Sequence, residues 1–262
     1  MGIFSYRSAA FWIGLALFSI LEHRFPFRSR TESALRHAGT NLTLAAVNSS
    51  LLWLLVVGVE RWGVAPPSAG LFSLLDIGPA WRLAVSILYL DGITYCLHAA
   101  YHRLPWLWRL HRVHHTDRDL DATSASRFHV GEVVLSTALR FIMVIPLGSD
   151  GAELEIFALL LLFSAQFQHA NFRLPAVVEP AVRAIFVTPD MHRVHHSERP
   201  AETNANFSAI FSFWDRLFGT YRTAPQTEIV IGLSEYRDRV SRSLPSLLRM
   251  PFARSSESVP RL

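Results

Sequence analysis

The chain has 262 residues, half of them hydrophobic and only 18% charged, which is more apolar than a soluble domain usually is. All 25 basic residues are arginine, and the net charge of +4 is too modest to define a partner; no nucleic-acid partner is expected. The single Cys96 excludes an intrachain disulfide and a cysteine-based metal knuckle, so any metal site must draw on the 12 histidines and on carboxylates.

The first apolar run, Ser8 to Leu21, lacks a small-residue cleavage site after it and reads as a first membrane helix rather than a signal peptide. Residues Ala38 to Val59 carry no charge over 22 positions, enough at about 1.5 Å per residue to cross a hydrocarbon core of about 30 Å. This is the clearest spanning segment in the sequence. Gly63 to Gly78, with Pro66-Pro67, reads as a loop. A third helix is predicted from Leu83 to His102, where Asp91, Tyr95, His98 and His102 share one helical stripe. Asp91 reads equally well as a helix-packing anchor and as a functional group. Leu104-Pro105-Trp106 marks a turn into a new helix. Val133 to Leu147 and Ile156 to Gln168 are both short for full spans and predict a hairpin that tilts or enters the bilayer part of the way.

From Asn171 onward no run is long and apolar enough to span. Residues 224–262 read as an Arg/Ser/Pro-rich tail, with Tyr236 to Phe252 lying at the interface and the last ten residues disordered. The expectation is an all-α polytopic membrane bundle of about four transmembrane helices with a cytoplasmic histidine-rich helical cap, residues 1–223 forming one domain. Four Arg at 24–36 and five at 103–127, against two at 61–82, put the histidine region on the cytoplasmic side.

One phrase occurs twice: His111-Arg112-Val113-His114-His115 returns as His192-Arg193-Val194-His195-His196. On a helix, positions i, i+3 and i+4 share a face, so each copy is predicted to point three imidazoles one way and its Arg-Val pair another. Two three-histidine faces are what a binuclear site needs. His98 and His102, four apart, both reach one metal, and His169 closes the hairpin at the same membrane face. Metal-bound imidazoles pass their second ring hydrogen to a carboxylate or carbonyl, and Asp117, Asp119, Asp121, Asp190 and Glu198 lie beside the phrases to receive it. Arg112 and Arg193, off the ligand faces, are left to carboxylates, lipid phosphates or an acidic protein. His23 and His37 read as ordinary surface residues.

These residues resemble the histidine boxes of the membrane fatty acid hydroxylase and sterol desaturase superfamily. The boxes are His98-x3-His102, His111-x2-His114-His115 and His192-x2-His195-His196. Arg127-Phe128-His129-Val130-Gly131-Glu132 is similar to the family's Arg-x-His-Pro-x-Glu stretch, with Val130 in place of proline. Gln168-His169-Ala170-Asn171 matches its Gln-His-x-Asn element, and Asn206-Phe207 with Trp214 to Tyr221 is similar to its closing motif. The resemblance covers about residues 85–222. It implies a di-iron centre with His98, His102, His111, His114, His115, His169, His192, His195 and His196 as ligands. His129 is a further ligand or a residue behind the ligands, as are Asp91, Asp117, Asp190 and Asn171. Zinc is a possible substitute for iron.

The function expected is O2-dependent hydroxylation or desaturation of a lipid, sterol-like or fatty-acyl, in an integral membrane protein of the bacterial inner membrane. With no cytochrome-like haem domain in the sequence, electrons are expected from a separate ferredoxin or cytochrome. Trp106, Trp108 and Phe172 either line the substrate path or form an interfacial belt. A transporter or sensor would use the same histidines without oxygen chemistry, but it calls for paired polar residues through the bilayer, where only Asp91 and Arg140 stand. A zinc hydrolase would need a carboxylate base at a fixed offset, which the sequence does not supply.

Overall fold

A computed structural model describes residues 2–61, 70–75, 77–238 and 242–253. Long apolar runs close into α1 (Gly2–Arg24) and α2 (Ala34–Arg61), and a single turn, α3 (Leu71–Leu74), follows. Pro79 opens α4 (Pro79–Arg103), and Pro105 stops it one residue past Leu104 and opens α5 (Pro105–His115). After α6 (Val130–Val144), a turn with Gly148 at φ 71° leads to α7 (Gly151–His169). The rest consists of short helices: α8 (Glu179–Ile185), α9 (Pro189–His195), α10 (Pro200–Thr203), α11 (Phe213–Leu217) and α12 (Leu244–Arg249). Among the described residues there is no strand, only two isolated bridges.

Two described helices are long and apolar enough to cross a membrane, α4 and α7. The second departs from the sequence expectation of a short hairpin arm. Asp150 accepts from the Glu153 N–H at 3.0 Å, and this cap starts the helix at Gly151, five residues ahead of the apolar run. α2 forms a helix over the run expected to be the clearest span, but it is not one of these two, and it turns a polar stripe inward: His37, Asn41 and Asn48 are all buried. Trp12, Ile13 and Leu17 of α1, Trp53 and Leu54 of α2, Leu88 of α4 and Leu160 of α7 are exposed, an apolar outer surface of the kind that lipid covers. α1 crosses α7 at Gly14, where an added Cβ would stand 2.1 Å from Gln166 Oε1.

Two sequence expectations need correction, those for His37 and for residues 224–262, while Asp91 takes the first of the two readings the sequence left open. His37 is not a surface residue; it is 2% exposed, with Nε2 2.8 Å from Asp117 and Nδ1 3.1 Å from Asp121, and it ties α2 to the segment after α5. Burial alone would lower its pKa, but the two carboxylates outweigh burial and raise it to about 10. Asp91 is a packing anchor: it accepts from the Ile210 and Phe211 N–H groups, each at 3.0 Å, and from Trp214 Nε1 at 2.9 Å. The described part of 224–262 is not a separate tail. Ile229 and Ile231 bury against Val194 and Leu120, while Leu247 and Met250 bury against Val113 and Leu44. The last nine residues lie outside the described ones.

Candidate metal centre

Each repeated phrase ends a short helix opened by proline, with Pro105 at the start of α5 and Pro189 at the start of α9. Thr188 caps α9 by accepting from the Met191 N–H. Behind each phrase, its valine and arginine are clamped by a later stretch of chain. Val113 sits on Leu247 and Met250, and Arg112 donates to the Met250 carbonyl. Val194 sits on Ile229 and Ile231; Arg193 pairs with Asp190 and donates to the Phe172 carbonyl at 3.1 Å. With that face occupied, the histidines of each phrase turn inward.

The inward histidines form two groups, but not one per phrase. His98, His102, His111, His115 and His195 make the first, and His114, His169, His192 and His196 the second, with the candidate ligand atoms of each group within 4.8 Å of one another. Each phrase keeps its i and i+4 histidines on one group and sends its i+3 histidine across to the other. The sequence expectation of three imidazoles of one phrase pointing one way is therefore corrected. On a helix, i+4 lies about 40° to one side of i and i+3 about 60° to the other, and two helices facing each other across a narrow gap use that offset to interlock.

Nine of the predicted residues thus come together, and all but the half-buried His98 are buried. The others do not join either group. His129 caps α6 by accepting from the Gly131 N–H and contacts the Leu248 carbonyl at 3.2 Å. Asn171 bonds the Arg28 backbone, Asp117 faces His37, and Asp190 faces Arg193 and Arg173. Of the aromatic residues proposed as lining, Trp108 is at the centre, its ring 5.0 Å from that of His102. Trp106 is 58% exposed, and Phe172 packs with Leu15 and Phe18.

The groups that orient the rings differ from those expected. His111 Nδ1 meets Glu132 Oε1 at 2.7 Å, whereas His98, His195 and His169 turn Nδ1 to the carbonyls of Phe207, Ala205 and Ala165 at 2.7–2.8 Å. The carboxylates beside the phrases are engaged elsewhere: Asp119 with Thr31 and Glu32, Asp121 with Arg30, Glu198 with Arg237. Glu132 stands in the Arg-Phe-His-Val-Gly-Glu stretch, which was the one sequence signal for it.

The donor set fits metal ions. Nε2 of His98, His111 and His195, and both ring nitrogens of His102 and His115, are buried without a hydrogen-bond partner. In the second group Nε2 faces Nε2 at 3.0 Å for His114–His169, 3.0 Å for His169–His192 and 3.1 Å for His192–His196. Such separations suit nitrogens at right angles about 2.1 Å from a shared cation, an ordinary metal–imidazole length. Burial, reinforced by neighbouring imidazoles, lowers His114, His115, His192 and His196 well below the usual histidine pKa; it brings His195 to about 3. That favours the neutral form, which is the one that binds metal.

The fold and site together define a helical, lipid-facing protein with two adjoining histidine clusters. Residues 83–220 match the fatty acid hydroxylase family, more than half of the chain, and the protein belongs to that family. It is 29% identical over 179 residues to the ornithine lipid hydroxylase OlsE of Rhizobium tropici, covering 67% of this chain and 51% of that protein. It is 31% identical over 161 residues to the alkylglycerol monooxygenase of Danio rerio, covering 61% and 34%. It is 26% identical over 156 residues to the cholesterol 25-hydroxylase of Rattus norvegicus, covering 59% and 51%. The match thus spans about half or less of the length of these relatives. No solved structure matches the chain.

Proposed function

We propose that the protein is an O2-dependent di-iron hydroxylase of a membrane lipid. The observation that carries this reading is the pair of adjoining clusters, five and four histidines, with buried nitrogens that have no other partner. His98, His102, His111, His115 and His195 would hold one iron, and His114, His169, His192 and His196 the other. Irons bound there would supply the reductive activation of O2 that breaking an unactivated C–H bond requires.

The chain's own residues prepare the site for this. Glu132 and the carbonyls of Phe207, Ala205 and Ala165 fix four rings through Nδ1. Trp108, Phe207 and Phe128 border the clusters and limit water, with the Phe128 ring stacked 4.4 Å from His114. The exposed apolar helix faces supply a route from the bilayer for an apolar substrate. A four-pass arrangement with the centre on the cytoplasmic side of a bacterial inner membrane, fed by a separate ferredoxin or cytochrome, agrees with the arginine distribution. The names of the relatives favour hydroxylation over desaturation, and their substrates differ, which leaves the lipid class broad: ornithine lipid, alkylglycerol or sterol. A transporter is disfavoured because the histidines gather at one place instead of lining a path.

The test is to purify the chain in detergent, measure metal per chain, and follow O2 uptake with reductant and a lipid extract. Two irons per chain and a lipid product heavier by one oxygen are expected. Zinc alone, with no oxygen-dependent product, would overturn the reading.

A further inference from the structure

Behind the second phrase lies a cavity of about 480 Å³ that the metal chemistry does not use. Its wall holds five arginines, Arg28, Arg30, Arg118, Arg193 and Arg237, and one carboxylate, Asp119. Three of the arginines are already balanced: Arg30 by Asp121 and Glu22, Arg193 by Asp190, and Arg237 by Glu198. Among the described residues Asp119 makes no ion pair with these arginines; its carboxylate accepts from the Thr31 N–H at 2.8 Å, the Thr31 hydroxyl at 2.9 Å and the Glu32 N–H at 3.0 Å.

Arg28 and Arg118 remain. Among the described residues neither has a carboxylate within ion-pair distance. Each is held by a backbone carbonyl: Arg28 Nη2 donates to Ile229 at 2.6 Å and Arg118 Nη1 to Arg237 at 3.0 Å. Arg28 Nη1 and Arg118 Nε are buried without a partner. Gly232, at φ 101°, closes on the Arg118 stem so tightly that a Cβ there would stand 2.9 Å from Cγ. Two fixed, half-buried guanidinium groups without counter-charge are costly unless an anion joins them, and their planar forks suit phosphate oxygens.

We propose that this cavity binds a phosphate-bearing polar headgroup, with Arg28 and Arg118 as its anion clamp. The cavity is far larger than a phosphate ion and lies within the range of small-molecule sites. Thr227 and Gln226 line it as neutral hydrogen-bonding groups. Arg28 follows the end of α1, and Asn171, on the same wall, follows the end of α7, which sets the cavity where a lipid headgroup layer would meet the protein.

The test measures binding to the full chain in neutral detergent, using inorganic phosphate, glycerol 3-phosphate and dihexanoyl phosphatidylglycerol as probes. Binding of at least one probe is expected, weakened tenfold or more in Arg118→Gln. Arg28→Gln carries a risk to folding because Arg28 tethers Ile229. Thr227→Glu is the safer second variant: Thr227 is exposed, and a new carboxylate there should repel the same probe by a similar factor. Binding of the lipid but not of the two soluble probes would assign the site to a membrane headgroup; tight binding of the soluble probes alone would assign it to a free phosphate ester. No binding by any probe, or affinity unchanged in both Arg118→Gln and Thr227→Glu, would overturn the proposal.

Discussion

The imidazole of His195, from the second phrase, lies with its ring centroid 4.5 Å from that of His98, in the cluster that α4 and the first phrase build with two histidines each. His114 makes the reciprocal crossing, its Nε2 3.0 Å from His169 Nε2. The two copies of His-Arg-Val-His-His are therefore not two independent metal holders. Each stabilises the other's site, and neither cluster is complete without both.

Metal content should follow the crossed pattern. His192→Ala with His196→Ala removes two ligands from one cluster and is expected to leave about one metal per chain. His111→Ala with His114→Ala removes one ligand from each cluster and should lower occupancy at both. Metal analysis of the purified variants checks this. If the second pair instead spared one full metal, the ligands would be sorted by phrase and the crossing would be wrong.

Glu132 orients His111 by accepting its ring hydrogen at 2.7 Å. Replacing a carboxylate behind a metal-bound histidine typically costs about 10- to 100-fold in affinity or activity. Glu132→Ala is expected to weaken metal binding within that range while the helical content stays unchanged. Glu132→Gln, which keeps an acceptor, should lose less. A chelator competition titration alongside circular dichroism measures both.

The histidine clusters were legible because the ligands repeat at helical spacing, a pattern that packing alone seldom produces. The crossing was not legible, since it depends on how α5 and α9 face each other and no local spacing records that. The ring-orienting carbonyls of Ala205 and Phe207 were hidden for a plainer reason: every residue has a carbonyl. His37 was misread because its partners, Asp117 and Asp121, lie about eighty residues away, and polarity alone suggested a surface. The segment after Ala224 was misread because Ile229, Ile231, Leu247 and Met250 are spaced too irregularly to announce a buried face.

Asp91 should matter for folding rather than for metal binding directly. Its carboxylate satisfies two backbone N–H groups of the loop that also carries the Phe207 carbonyl to His98, and the Trp214 indole of α11 just beyond it. Asp91→Ala leaves these buried donors unpaired, each costing about 1–3 kcal/mol. The expected outcome is a clearly lowered melting temperature and faster proteolysis between Asn204 and Tyr221, with Asp91→Asn intermediate. A loss of metal without any loss of thermal stability would instead return Asp91 to a ligand role.

His37 predicts a pH dependence with a definite sign. Asp117 and Asp121 raise its pKa in the folded protein to about 10, against an ordinary value of about 6.5. Between these values the folded state keeps a proton that the unfolded state has released. The stabilisation is therefore complete below about pH 6.5, falls progressively above it, and is lost as pH passes about 10. Melting temperature in detergent should decline from pH 7 to pH 10. His37→Gln removes the titrating group, so the variant should be less stable at pH 7 and its melting temperature should vary less across that interval. A variant as stable as the parent at pH 7, with the same alkaline decline, would show that the ion pair contributes nothing and that the titration belongs to another group.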